Sequence, residues 1–581
     1  MVKLLNAVQS LQADNPLGLP LVRSVREAVP VKGTNVRVGI FHVITERDTV
    51  EFARNLMAHP AMRFLEKVRY NVLQTGLNYP WGREPGTLPP PDNAILIIYD
   101  YTNNIGYRVV ADFPRARQVK VEPLREQPYL FSEEEFREAV EILMADPKYG
   151  EPLRRGIAFC SPGMPPVLTE VAPPYVLERY DGVPIGGKPP EHRTVAVLMH
   201  FRPGSGRERE IGTFFIDMVD RRVAGYGTGG SDFFPAACNG PASGGSCIGP
   251  GGTAWQALAW PASNPIWQML VRRPAGTSPT IDPSLSYGAG VELRDVYYRG
   301  HLVIRRAGIP VLNVFYDGNA CGPYRDWLYT ETCFDCTGTD LGNGLRFANP
   351  GTRAITICDD ANDPGNFRGV GVFEDPATGE LVLISECSAG WYRYITGWRF
   401  HPDGIIRPRF LYGYTDNGCV CYGRLHNAYW RIDFDIDGAG NHIVEEADAP
   451  LRELHPRWNL IRLEAKRFRH PGRSRRWRVT NTLTRRSAEI IPGPKDGSFE
   501  LPTTGEGDVW VVRYKSSKAG GGADQELIGS GGSFGNISQY VNGESVVNQD
   551  IVFWYGVHLR KRGADTFECP PLGPDIILRN W

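Results

Sequence analysis

The sequence predicts a mainly β protein in which small α+β domains lead into a large C-terminal β-sandwich. Short alternating apolar segments, separated by turn residues, recur from about residue 288 to the end. The clear helical periodicities lie ahead of residue 150. Gly and Pro, at 65 and 47 of 581 residues, are above average and spread along the whole length, as a chain of many strands and loops requires.

Residues 36–46, "VRVGIFHVITE", alternate and carry β-branched side chains, so they read as a strand. "RDTVEFARNLMAHPAMRFLEKV" has helical period, with Pro60 set to divide it. "AILIIYDYTNNIGYRVVADF" reads as two strands about an Asn-Asn turn, completing a β-α-β-β unit. In "FSEEEFREAVEILMADP", Ser132 and Glu135 form a capping box and Pro147 ends the helix. "HRTVAVLMHF" and "EIGTFFIDM" add strands to a second small unit. The expected boundaries are 1–120 and 121–225 for the two small domains, 226–285 for a Gly/Ser-rich linker and 286–581 for the sandwich. The linker lacks the G-x-x-x-x-G-K-[ST] spacing of a phosphate cradle.

A net charge of −1 gives no electrostatic reason for a nucleic-acid partner. The basic run "KRFRHPGRSRRW" reads as a solvated hairpin edge that discourages strand pairing. No apolar run reaches the roughly 18 residues of a spanning helix, and no export signal is visible, so a cytoplasmic protein without a membrane partner is expected. Eleven cysteines is an odd number. Cys333-x-x-Cys336 and Cys419-x-Cys421 are too far apart for a standard zinc ribbon, so buried thiols with one local disulfide are the expectation.

Six segments, in order, resemble the copper amine oxidases. They are "FSEEEFREAVEILMADPKY", "ELRDVYYRGHLVIRRAGIPVLNVFY", "AITICDDAND", "AYWRIDFDIDGAGNHIVE", "DVWVVRYK" and "NQDIVFWYGV". The resemblance implies that family's supersandwich and a homodimer. In the family, copper and oxygen convert a strand tyrosine to topaquinone, whose carbonyl forms a Schiff base with a primary amine. Aligned on the Ser/Thr-x-x-Asn-Tyr-Asp/Glu-Tyr signature, Tyr392 takes the precursor position. Trp391 replaces the asparagine and Arg393 the acid.

By the same resemblance the His-x-His copper pair falls on Arg424-Leu425-His426, and the third ligand, counted without a gap from Asp550, on Lys561. His558 can serve only through a deletion. Asp326 is the nearest candidate for the catalytic aspartate, out of register. A guanidinium has no lone pair for a metal. Two fixed cations repel a dication by several kcal/mol each, even at an effective dielectric of about 20. No copper or topaquinone is therefore expected. Tyr392, His426, Arg424 and Lys561 then form a pocket able to hold an anion or to lower the tyrosine pKa for proton transfer on a small-molecule substrate. The alternatives are a working primary-amine oxidase and a catalytically silent binding homologue. The resemblance also implies a peripheral calcium site at Asp433, the Phe434 carbonyl, Asp435, Asp550 and the Ile551 carbonyl. It further implies a Cys336–Cys358 disulfide, with two reduced thiols as the alternative.

Overall fold

The computed structural model describes the chain outside residue 1 and outside 80–83, 125–127, 129–131, 152–191, 202–209, 230–253, 274–288, 318–329, 332, 364, 390, 416–417, 450–456, 471, 500–506, 515–536 and 563–566. Two large, almost wholly antiparallel sheets face each other. One has ten strands and the other twelve. Their inner faces interdigitate in one apolar core that draws Trp430, Phe434 and Phe553 from the first and Trp398, Phe400 and Trp477 from the second. This is the mainly β architecture, with a large sandwich, that the sequence predicts.

Strands central to the first sheet run His301–Tyr316, Arg424–Phe434, Ile551–Lys561 and Val509–Arg513, in that spatial order. In the second, Glu380–Ala389, Tyr392–His401 and Ile405–Tyr414 form a meander. Every position of Arg424–Phe434 is buried, because neighbouring strands flank it and both faces are covered.

Smaller layers pack outside the sandwich. The helix Glu46–Ala58 stops at His59, and Pro60 opens a separate 3₁₀ segment, Pro60–Leu65, as the proline requires. That helix and the helix Val2–Gln9 cover one face of a four-stranded sheet that includes Asn93–Asp100 and Ile105–Asp112. The other face packs on the helix Glu133–Ala145 and on the sheet formed by Thr194–Phe201, Glu210–Asp217 and Arg222–Gly229.

Three local expectations change. The strand expected at 36–46 forms at Arg37–Ile40, but it pairs with Gln256–Trp260 in the ten-stranded sheet and not within a β-α-β-β unit. Gln256–Trp260 and its partner Trp267–Arg272 put two sandwich strands inside the segment expected to be linker. The capping box at Ser132 is only half formed. Ser132 Oγ accepts from Glu135 N at 3.1 Å, but the Glu135 carboxylate accepts from both Arg193 Nη2 (2.7 Å) and Tyr101 Oη (2.6 Å). A fully buried guanidinium nearby competes better for the carboxylate than a single backbone N–H does.

The disulfide differs too. Cys358 bonds Cys569, across 211 residues of chain, and Cys336 is a buried free thiol whose pKa burial pushes up to about 12. Cys333 and Cys421 are also disulfide-bonded, which removes the thiolates a zinc site would need.

Glu135→Ala leaves the Arg193 charge buried without its carboxylate and should cost about 3–5 kcal/mol in a denaturant titration. An unchanged midpoint would show that the pair does not couple the small layers. Peptide mapping without reductant should recover Cys358 joined to Cys569, with Cys336 alkylated only after unfolding. A Cys336–Cys358 peptide would reinstate the sequence expectation.

Candidate functional site at the buried tyrosine cluster

Strand alternation builds the site. Along Arg424–Phe434, residues 424, 426, 428 and 430 point between the sheets, while 425, 427, 429 and 431 point away. Arg424 lies opposite Tyr316 on one neighbouring strand and Lys561 on the other. From the facing sheet, Tyr392 pairs across the meander with Tyr414, and Tyr394 with Tyr412. Four tyrosines thus form a two-by-two array over Arg424 and His426.

The imidazole of His426 is enclosed. The Tyr412 ring stacks on it at 3.6 Å between centroids, and Tyr392 meets it edge-to-face at 4.4 Å. Tyr316 stacks on the far side of Tyr392 at 6.4 Å. The Tyr394 hydroxyl lies 3.1 Å from His426 Nδ1. Nε2 is buried and has no hydrogen-bond partner among the described residues. Burial first, and then the charges of Arg424 and Lys561, hold the His426 pKa well below its ordinary value, so the ring is neutral.

Arg424 is 1% exposed. Its Nη1 donates to the carbonyls of Val420 and, at 3.2 Å, Tyr422, and its guanidinium lies 5.1 Å from the Tyr414 ring centre. Burial works against the charge but is outweighed by the phenols of Tyr392, Tyr412, Tyr316 and Tyr414, which raise the arginine pKa. Its Nε is buried without a partner among the described residues, while the guanidinium is the hydrogen-bond neighbour of the Tyr412 hydroxyl. No described carboxylate forms an ion pair with it.

Of the residues expected at the site, Tyr392, His426, Arg424 and Lys561 do come together. Arg393 does not. It points to the opposite face of its strand and grips Asp363 with both ends of the guanidinium, Nε at 3.0 Å and Nη2 at 2.9 Å. Nor does His558, whose Nδ1 contacts Asn427 Oδ1 at 2.6 Å while Nε2 lies 3.2 Å from Asp508 Oδ1. Three positions separate it from Lys561, and an odd offset on a strand turns a side chain to the other face. It therefore cannot join His426 around one metal. Asp326 lies outside the described residues. Tyr316, Tyr394, Tyr412 and Tyr414 were not singled out from sequence. For Tyr394, Tyr412 and Tyr414 the signal is the Tyr-x-Tyr spacing at 392–394 and 412–414, which puts both members of each pair on one face of a strand; Tyr316 carries no such signal.

A second cluster sits at the other end of the same strand pair. Carboxylate oxygens of Asp433, Asp435 and Asp550 lie within 4.8 Å of one another. Phe434 pairs directly with Ile551, so the backbone carbonyls expected to assist are adjacent. Burial, and next the Asp550 charge, raise the Asp435 pKa to about 7 against the pull of Arg305 and Arg431. One oxygen of Asp435 is buried with no hydrogen-bond partner among the described residues.

No protein-family model matches the sequence, and no curated protein matches it. Solved structures do. The chain is similar to a copper-containing benzylamine oxidase from Hansenula polymorpha, at 12% identity and a TM-score of 0.56, over 94% of this chain and 98% of that one. It is also similar to the Aspergillus nidulans amine oxidase, at 13% identity and 0.55, over 98% and 91%. The Pichia pastoris lysyl oxidase gives 11% identity and 0.52, over 98% and 92%. At such identities the likeness is one of architecture: this chain carries the fold of the copper amine oxidases.

Proposed function

We propose that this protein uses the amine oxidase fold without a copper–topaquinone centre, and that the pocket beside Tyr392 acts on a small molecule by proton transfer. The observation that carries the reading is the pairing of Arg424 with Lys561 across adjacent strands, on the face that bears His426. Those are the two positions where the family resemblance calls for imidazoles. The guanidinium has no lone pair, and the ammonium offers one only after losing its proton. The residues present therefore do not fit the copper tripod, and no step runs through metal or quinone.

What remains is acid–base chemistry. A neutral His426, oriented by Tyr394, exchanges a proton at Nε2. Tyr392, against the edge of that ring, is the hydroxyl placed to work with it. Arg424 and Lys561 stabilise negative charge as it develops. The second reading, a primary-amine oxidase, draws on one feature: Nδ1 is held by a hydroxyl while Nε2 stays open, as in a metal-bound histidine.

Peripheral calcium belongs to the same proposal and is supported by hard carboxylate oxygens within one coordination sphere. A homodimer is carried over from the resemblance, with light scattering as its check. A nucleic-acid partner is not proposed. In the basic hairpin, Arg473 and Arg475 pair with Asp448, Arg476 with Glu489 and Arg478 with Glu445. No described helix is long and apolar enough to cross a membrane. The half-cystines at 333, 358, 421 and 569 suit an oxidising compartment better than the cytoplasm expected from sequence.

Protein produced with excess copper should carry no stoichiometric copper and give no phenylhydrazine adduct or nitroblue-tetrazolium stain. A positive result in all three would establish the amine oxidase instead. For the peripheral site, the raised Asp435 pKa means that the folded apo protein takes up a proton the unfolded chain has lost. Its stability contribution is therefore largest below the unfolded carboxylate pKa and declines as pH rises towards about 7. Calcium should therefore raise the melting temperature more at pH 8 than at pH 5. Near saturation the shift is roughly 2 °C for a chain of this size. Equal shifts at both pH values, or none, would dispose of the site.

A further inference from the structure

We propose that the ligand of this pocket is a small carboxylate, received by Arg424 Nε, His426 Nε2 and the Tyr412 hydroxyl. The inference deepens the copper-free reading and rests on it.

The three atoms belong to one pocket. Arg424 and His426 are two apart on one strand and share a face. The Tyr412 ring stacks on His426 at 3.6 Å, and Arg424 acts electrostatically on both. All three side chains are nearly inaccessible, at 1% for Arg424 and His426 and 2% for Tyr412. Arg424 Nε and His426 Nε2 are without a hydrogen-bond partner among the described residues, and the Tyr412 hydroxyl has the Arg424 guanidinium as its hydrogen-bond neighbour. One buried orphan is an ordinary imperfection; two on the same strand face, next to a desolvated guanidinium, mark a binding position.

The chemistry of the atoms sets the ligand class. Arg424 Nε and the Tyr412 hydroxyl are hydrogen donors. In the tautomer where the Tyr394 hydroxyl donates to Nδ1, the neutral His426 carries its proton on Nε2 and is a third donor. Three donors around a guanidinium that has no described carboxylate partner call for an anionic acceptor. A buried, uncompensated cation is costly, and a charge-assisted pair with a carboxylate removes that cost. The Nη1 end is already committed to the Val420 and Tyr422 carbonyls, which fixes the plane of the guanidinium and turns its Nε edge to the ligand. A primary ammonium meets two like charges here, from Arg424 and Lys561, and is disfavoured.

The test titrates the intact protein with acetate and benzoate, using benzamide and benzylamine as neutral and cationic controls of similar shape. Melting temperature and calorimetry are the readouts. Either carboxylate should raise the melting temperature and bind at least tenfold more tightly than both controls, and Arg424→Gln should abolish the effect. If that variant does not fold, His426→Gln should weaken carboxylate binding about tenfold and leave the controls unchanged. Absence of carboxylate binding, or binding equally strong in the folded variants, overturns the inference. Failure here, in protein shown to lack copper and quinone, leaves the copper-free reading standing. Copper with a quinone adduct removes both.

Discussion

Arg424 holds a full positive charge between two sheets, away from water, with no described carboxylate beside it. That is a demanding arrangement, because a buried ion without a counter-ion costs several kcal/mol unless dipoles replace its hydration. The fold supplies those dipoles in a specific arrangement. Two backbone carbonyls take one end of the guanidinium, the Tyr414 ring lies against it, and three more phenols turn towards it. His426 stays neutral first because it is buried and next because a proton there would sit beside both Arg424 and Lys561. Aromatic packing, imidazole protonation and ligand preference at this site all follow from one desolvated guanidinium.

The pleat converts sequence spacing into that arrangement. Residues 424, 426 and 561 share one face of the ten-stranded sheet, and 392, 394, 412 and 414 share the facing surface of the other. A side chain one or three positions away is excluded as firmly as if it were distant. Arg393, next to Tyr392, serves Asp363 on the reverse side, and His558 serves Asn427 and Asp508. Sequence proximity to a functional tyrosine therefore means little on a strand, and parity means a great deal.

Much of the fold was legible because its signals are local. The helix ending before Pro60, the hairpin about Asn103 and Asn104, and the alternating strands after 288 depend on neighbours in sequence. Strand assignment to a sheet is not local. Arg37–Ile40 looks the same on its own whether it pairs within the N-terminal layers or with Gln256–Trp260, and only the long-range partner decides. The same holds for Glu135, whose carboxylate was claimed by Arg193, and for Cys358, whose partner lies 211 residues away. At the site, motif counting found Tyr392, Arg424, His426 and Lys561, since each sits at a fixed offset from an anchor. The supporting tyrosines escaped it because they enter from separate strands and meet only after the sheets close.

The two clusters sit at opposite ends of one strand pair and carry opposite charge. Arg424 faces Lys561 at one end, and the Asp433–Asp550 carboxylates gather at the other, with the eight buried residues 425–432 between Arg424 and Asp433. At about 3.3 Å per residue the separation is roughly 30 Å, several times the Debye length of about 8 Å at physiological ionic strength. Direct field effects between them are therefore small next to the local terms, and each cluster must be balanced where it stands. At the acidic end Arg431 lies 3.6 Å from Asp433 and, with Arg305, acts on Asp435, yet the Asp435 pKa stays raised to about 7. At the basic end no described carboxylate forms an ion pair with Arg424, and His426 is neutral. The asymmetry has a chemical reading: the acidic end has the hard oxygens that suit a metal ion, and the basic end the donors that suit an anionic molecule.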